Sequence, residues 1–314
     1  MTLLDVQDLN VRFPTGEGII HASRDVSFSL NTSEVLGLVG ETGSGKSIIG
    51  QAVIRLLPST AEITGDISFD GKNLNTLSDA AMHSLRGSSI SLVPQNPSGA
   101  LDPVTRNGDQ ISEIVSGIYK KRDEIVNRVH ALLSSVGLVP AVRIADEFPH
   151  QLSGGMRQRL TTSIAITENP RLIIADEPTK GLDFRAREKT VTVLTDIQKK
   201  NQSSLLLITH DLDLAEQICS RIAVVYAGEI VEIGPVSRIF AEPRHPYTRA
   251  LIQAIPKNGL IPIPGQSPSL LNLPAGCSFA DRCEYCADIC RLTHPEFVNG
   301  TMNGGVRCHH PFSS

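Results

Sequence analysis

The chain of 314 residues carries 33 acidic against 29 basic side chains, a net charge of −4, no Trp and only 4% aromatics. That balance argues against a nucleic-acid surface, which needs excess positive charge and rings for base stacking, while the length accommodates one large domain plus a smaller one. No run reaches the roughly 20 apolar residues of a membrane helix, and Met1-Thr2-Leu3-Leu4-Asp5 opens without the basic and apolar segments of a secretory signal. A cytoplasmic chain is expected, in which disulfides are disfavoured.

In chain order, residues 3–13 and 26–30 alternate apolar and polar and predict strands. Residues 35–39 are an apolar strand running into a Gly-rich loop, and a helix should follow from Ser47 to about Leu57, stopped by Pro58. Asp70-Gly71 marks a hairpin end. From Pro97 to about Thr167 the pattern turns helical. Residues 172–175 and 205–208 read as buried strands; alternating with helices, they imply a mostly parallel sheet covered on its faces. A strand pair over 222–226 and 229–233 flanks Ala227-Gly228. Beyond Pro235 the composition shifts, residues 256–274 being rich in Pro, and a domain boundary is expected near residue 240.

Gly40-Glu41-Thr42-Gly43-Ser44-Gly45-Lys46-Ser47 fits the Gly-x-x-x-x-Gly-Lys-Ser/Thr phosphate-binding loop, set between strand and helix. Backbone N–H groups of such a loop cradle phosphates, Lys46 reaches the outer ones, and the Ser47 hydroxyl serves Mg²⁺. Leu152-Ser153-Gly154-Gly155-Met156 offers a second phosphate contact, a glycine turn opening a helix whose positive end faces outward. Asp176 closes an apolar strand, where a carboxylate holds Mg²⁺; Glu177 follows as the group that orients or deprotonates water. His210 ends the next apolar strand as a γ-phosphate sensor.

This set resembles the nucleotide-binding subunits of ATP-binding cassette transporters over about residues 3–235. The resemblance implies an α/β P-loop NTPase fold with a mixed sheet, a helical subdomain at about residues 97–167 and, over 241–314, a Cys-rich C-terminal extension. It implies ATP hydrolysis with Mg²⁺, with Glu177, His210 and Gln95 in catalytic roles and Ser47, Gln95 and Asp176 on the metal. Gln95, in Val93-Pro94-Gln95-Asn96-Pro97, matches the Q-loop that signals to the membrane partner. Ser153, Gly154 and Gly155 match the signature, Asp183 in Gly181-Leu182-Asp183 the D-loop, and Phe13, by position, the ring that stacks on adenine. Lys180-Gly181 departs from the small or hydroxylated residues many members carry there. A head-to-tail dimer is implied, each ATP lying between the phosphate loop of one subunit and the Ser153-Gly154-Gly155 turn of the other.

Five of six cysteines crowd the end: Cys277-x5-Cys283-x2-Cys286-x3-Cys290, then Cys308. Thiolates at such spacing suit zinc or an iron–sulfur cluster, whereas the solitary Cys219 reads as a core thiol. With His245-Pro246-Tyr247-Thr248-Arg249-Ala250-Leu251 and Gly276-Cys277-x-Phe279-x-x-Arg282-Cys283, the tail resembles the oligopeptide, dipeptide and nickel importer ATPases. That resemblance implies a [4Fe–4S] cluster on Cys277, Cys283, Cys290 and Cys308. Cys286 stands outside the spacing; a zinc site on Cys283-x-x-Cys286 and a tail without metal are the alternatives. The expected function is ATP-driven uptake of peptides, with nickel or a nickel chelate as the alternative cargo. Two membrane permease subunits, a second ATPase (a paralogue or an identical copy) and an extracellular solute-binding protein are the expected partners, and the chain sits peripherally on the cytoplasmic face of the membrane. A soluble ATPase of the same superfamily, acting in DNA repair or translation, is disfavoured by the single phosphate loop and the absence of sustained heptads.

Overall fold

The computed structural model describes residues 1–300 and 304–313. Its strands, in chain order, are β1 (Thr2–Thr15), β2 (Gly18–Asn31), β3 (Val35–Val39), β4 (Glu62–Phe69), β5 (Lys72–Asn73), β6 (Ile90–Val93), β7 (Leu172–Asp176), β8 (Ser204–Thr209), β9 (Arg221–Tyr226), β10 (Glu229–Pro235), β11 (Phe297–Asn299) and β12 (Gly305–Arg307). The chain divides into two compact units: one of residues 1–77 and 206–314, the other of residues 78–205.

The first unit holds two sheets. One is antiparallel, ordered β2-β1-β4-β5; Leu4, Val6, Leu9 and Val11 of β1 are buried, while the residues between them are mostly polar, the period-2 signature of a sheet covered on one face. The hairpin from β4 to β5 turns on Asp70 and Gly71, both at positive φ, as Asp-Gly in a two-residue turn demands. In the other sheet, the strands of this unit run β11-β12-β10-β9-β3-β8. It is mixed: β3 pairs with β9 in parallel, and β9 with β10 antiparallel. Leu36, Leu38, Val39, Ile222, Ala223, Val224, Leu206, Leu207 and Ile208 are fully buried, which is why these strands read as continuous apolar runs rather than alternating ones.

The helix after the phosphate loop spans Lys46–Val53, shorter than the pattern predicts. Arg55 takes a left-handed φ of 54° and its guanidinium donates to the carbonyls of Leu74 and Leu77. Those two bonds reward leaving the helix four residues early, so Pro58 is not what ends it.

The C-terminal extension is built into this unit. β12 pairs antiparallel with β10, and β11 with β12, so the extension lengthens the mixed sheet. Tyr226 at the end of β9 packs against Tyr247 (ring centroids 4.5 Å apart) and edge-on against Phe279 (5.3 Å). Cys219 is buried, its thiol pushed up to about 12 by desolvation, as a core thiol should be.

The second unit carries β6 and β7, paired in parallel from Ile90↔Leu172 to Val93↔Ala175, and the helices Asn107–Ile118, Arg122–Ser135, Ala141–Asp146, Gly154–Ala165 and Phe184–Asn201. Helices dominate residues 97–167, as the sequence pattern predicts. Ile111, Val115, Leu132, Leu133 and Leu160 form their shared core.

In the first unit, β10 carries a buried carboxylate, Glu229. Arg24 Nε donates to its Oε1 at 2.5 Å, His294 Nε2 lies 2.7 Å from the same oxygen, and Ser278 Oγ donates to Oε2 at 3.3 Å. Burial pushes this carboxyl up, but the hydrogen bonds from His294 and Arg24 outweigh it and hold it below the ordinary value. Such a group adds stability above the unfolded-state carboxyl pKa of about 4.3, and the contribution is lost as pH falls through the folded value. Arg24→Met should therefore cost about 3 kcal/mol at pH 7, measured by urea unfolding, and the gap from wild type should close below about pH 4. A gap unchanged at low pH would show that packing, not charge, is what Arg24 contributes.

Candidate functional site

The first unit presents the phosphate loop at the end of β3. Two of its glycines are required by contact as well as by conformation. Gly40 has φ 154°, and a Cβ there would lie 2.1 Å from the Val225 carbonyl; Gly45 has φ 96°, and a Cβ there would lie 2.2 Å from the Ala22 carbonyl. The loop is thereby pressed against β9 on one side and β2 on the other. The Gly228 N–H, in the turn between β9 and β10, donates to the Ser44 carbonyl at 2.9 Å. Thr42 and Gly43 are exposed at the tip, whereas Ser44 and Lys46 are buried.

Lys46 Nζ donates to the carbonyls of Gly40 and Glu41, both at 2.8 Å, and to Ser44 Oγ at 3.3 Å. A buried ammonium wrapped by its own loop is a cation held in place for anionic oxygens. Ser47 lies in the first turn of the following helix, whose N-terminus adds its partial positive charge. The backbone and side-chain donors therefore suit phosphate oxygens. His210 follows β8, which neighbours β3 in the sheet, and is exposed. Asp211 next to it caps the helix Leu212–Ile218 by accepting from Leu214 N. Phe13, in β1 opposite Ile20, is half-buried, leaving part of the ring open to contact.

The second unit carries the remaining sequence-identified groups. Asp176 ends β7 and Gln95 follows β6; because the two strands pair in parallel, both residues leave the same carboxyl end of the pair. Asp176 and Glu177 are 5% and 6% exposed. Glu177 adopts a left-handed φ of 47°, a conformation that costs about 1–3 kcal/mol in a non-glycine residue and concentrates at functional positions. Ser153 caps the helix Gly154–Ala165, its hydroxyl accepting from Met156 N, and Asp183 caps Phe184–Asn201 by accepting from Ala186 N at 2.9 Å. Gly155 lets these two helix starts touch: a Cβ there would meet the Ala186 Cβ at 2.9 Å and Leu182 at 3.8 Å. The Ser153-Gly154-Gly155 turn and the Gly181-Leu182-Asp183 turn are thus one packed feature, with Ser153 and Gly154 exposed on it.

The expected metal-binding cysteines are brought to a common place. Cys277, Cys283, Cys290 and Cys308 line one small cavity together with His245, Phe279, Tyr285, His309 and His310, and Cys286 is not among its walls. Gly276 permits the approach, since a Cβ there would lie 2.2 Å from the Cys290 carbonyl, which accepts from Cys277 N at 2.7 Å. Burial raises the Cys277 thiol to about 12 and the Cys308 thiol to about 11. Among the described residues no group of three or more His, Cys, Asp or Glu side chains stands in metal-holding arrangement, so the thiols converge on a cavity without forming a ready coordination shell.

Three residues that motif reading did not assign to the site touch the phosphate loop: Tyr247, Ser267 and Arg282. Their signal in the sequence is indirect. A carboxylate at Glu41, inside a loop shaped for phosphates, calls for a cation, and that cation lies 241 positions away.

Phosphate loop, acidic strand end and Ser-capped glycine turn together define an ATP-binding cassette ATPase. Residues 23–180 match the ABC transporter family, and residues 231–290 match the oligopeptide/dipeptide transporter C-terminal region. The chain is 38% identical over 301 residues to the oligopeptide transport ATP-binding protein OppD of Haemophilus influenzae, covering 92% of each chain. It is 40% identical over 314 residues to the dipeptide transport ATP-binding protein DppD of Bacillus subtilis, covering 98% of this chain and 94% of that one. Among solved structures it resembles the dimeric ATP-binding cassette MJ0796 in a post-hydrolysis state bound to ADP and Pi, with a TM-score of 0.67 and 26% identity over 74% of this chain and 99% of that one. It also resembles cbiO1 of Clostridium perfringens, part of the ABC transporter complex cbiONQ, with a TM-score of 0.65 and 28% identity over 77% of this chain and 91% of that one. The chain belongs to the ABC transporter family and is one of its ATPases. Among the described residues no helix is long and apolar enough to cross a membrane.

Gly45→Ala tests the close approach directly. The added methyl group strikes the Ala22 carbonyl at an unfavourable φ, so a stability loss of about 2 kcal/mol or more is expected in urea unfolding. Affinity for a fluorescent ATP analogue should fall at least about tenfold; unchanged values in both assays would show that the loop does not depend on this contact.

Proposed function

We propose that the chain is the ATP-hydrolysing subunit of an importer for oligopeptides or dipeptides, peripheral to the membrane and working with two permease subunits, a second ATPase and an extracellular solute-binding protein. The observation that carries this reading is the pairing of a complete set of cassette motifs with a C-terminal extension of the oligopeptide/dipeptide type. Relatives named for peptide transport along nearly the whole chain support peptides over nickel as cargo.

In this reading residues 1–240 are the ATPase domain and residues 241–314 its extension. The N–H groups from Gly40 to Ser47 and the Lys46 ammonium bind the phosphates. Ser47, Asp176 and Gln95 would hold Mg²⁺, which supplies charge neutralisation at the phosphate oxygens. Glu177 orients the attacking water and takes its proton, His210 contacts the γ-phosphate, and Phe13 stacks on adenine. Ser153, Gly154, Gly155 and Asp183 are the half-site lent to ATP held by a second subunit; the exposure of Ser153 and Gly154 on a capped helix start supports that use. Each subunit then needs the other to close its nucleotide, which couples hydrolysis to closure of the pair.

Glu177→Gln keeps the shape and removes the base. Steady-state ATPase should drop at least about 100-fold with ATP binding retained, and uptake of a labelled dipeptide in vesicles carrying the assembled transporter should stop. Hydrolysis at the unmutated rate would overturn the assignment.

Cys277, Cys283, Cys290 and Cys308 are proposed to ligate a [4Fe–4S] cluster. Four thiols on one cavity, with Cys286 outside it, match the donor number such a cluster takes. An anaerobic preparation should be brown, with about four iron and four sulfide per chain, and Cys290→Ser should bleach it. A colourless preparation containing zinc would sink the assignment in favour of a zinc site.

A further inference from the structure

A carboxylate in a phosphate-binding loop is a liability, and Glu41 is one. Its side chain is met by Arg282 from the extension: Nη1 donates to Oε2 at 2.7 Å and Nη2 to Oε1 at 2.9 Å, with Ser267 Oγ donating to Oε2 at 3.0 Å. Two parallel bonds of this kind are the strongest a guanidinium makes with a carboxylate. The Arg282 side chain is only 4% exposed. Its Nε donates to the Pro264 carbonyl at 2.8 Å, Nη1 reaches the Tyr226 hydroxyl at 3.3 Å, and the guanidinium lies over the rings of Tyr226 and Phe279. The hydrogen bond from Arg282 holds the Glu41 carboxyl below its ordinary value despite partial burial, so the group stays charged.

The loop backbone at Glu41 is held as well. Its N–H donates to the hydroxyl of the fully buried Tyr247 at 3.0 Å, and its carbonyl accepts from Lys46 Nζ at 2.8 Å. All three polar ends of Glu41 are therefore fixed, two of them by residues of the extension and one by the lysine that serves the phosphates.

We propose that Arg282 and Tyr247 are positioning residues of the nucleotide site: Arg282 cancels a loop carboxylate that would repel incoming phosphates, and Tyr247 anchors the loop so that Lys46 keeps its seat. The C-terminal extension is then a working part of the ATP site of its own chain. The proposal rests on the assignment of residues 40–47 as that site, and the test separates the two.

The test is a titration of the full-length chain with a fluorescent ATP analogue and Mg²⁺ at low salt. Arg282→Ala should weaken binding about tenfold, equivalent to about 1.4 kcal/mol. Adding Glu41→Gln to Arg282→Ala should restore most of that loss, because the uncompensated charge is gone, and the urea unfolding midpoint of each variant separates this from a loss of folding. Arg282→Lys, which keeps the charge but not the fork, should fall between, and it carries the comparison if Arg282→Ala does not fold. Tyr247→Phe should weaken binding a few-fold and gain nothing from Glu41→Gln. Lys46→Ala serves as the reference. If Lys46→Ala abolishes binding while Arg282→Ala leaves it intact, or if the double variant is as weak as Arg282→Ala, the positioning role is overturned. If Lys46→Ala binds normally, the assignment of the loop fails instead.

Discussion

The phosphate loop of this chain has no spare room behind it. Its first glycine lies against the carbonyl of Val225 in β9 and its third against that of Ala22 in β2, so the loop is the joint at which the mixed sheet and the antiparallel sheet of the first unit meet. The joint is tied on both flanks: Gly228 N–H donates to the Ser44 carbonyl, and Arg24 N–H donates to the Gly228 carbonyl. A loop clamped this way keeps its N–H groups converged before any ligand arrives. That preorganisation spares the site the ordering cost that flexible loops meet on binding.

The same joint explains why the extension cannot be treated as an appendage. β10 carries two buried acids, and residues of the extension satisfy both. Glu229 takes His294 and Ser278 in addition to Arg24. Glu232 accepts the backbone N–H groups of Arg244 and His245 at 2.8 and 2.9 Å, just before the helix Pro246–Gln253 begins. Burial raises the Glu232 carboxyl, and these two donors are what make a carboxylate tolerable there. The helix they lead into is the one that carries Tyr247 to the phosphate loop.

Much of this was legible in the sequence. An apolar strand, a glycine-rich loop and a helix announce themselves by composition alone, and so do the apolar runs 172–175 in β7 and 205–208 in β8, because burial on both faces removes the polar alternation. Local exceptions were not legible. The first helix stops at Val53 because Arg55 finds two carbonyls in residues 74–77, a tertiary reward that no helical pattern encodes. The bond between Glu41 and Arg282 was hidden for a similar reason: a charge pair 241 positions apart leaves no periodicity to read. The cysteine spacing did point to convergence on one cavity, but spacing carries no information on whether the thiols stand ready to coordinate.

β11 and β12 add a further consequence. They lie beyond the stretch that matches the oligopeptide/dipeptide C-terminal region, yet β12 occupies the hydrogen-bonding edge of β10 through Glu232↔Val306 and Ile233↔Gly305. An unpaired strand edge is a template for pairing with other chains. These last short strands therefore act as a guard on solubility: a chain cut before residue 297 would offer a bare β10 edge to its neighbours and invite self-association, even with every nucleotide-binding group intact.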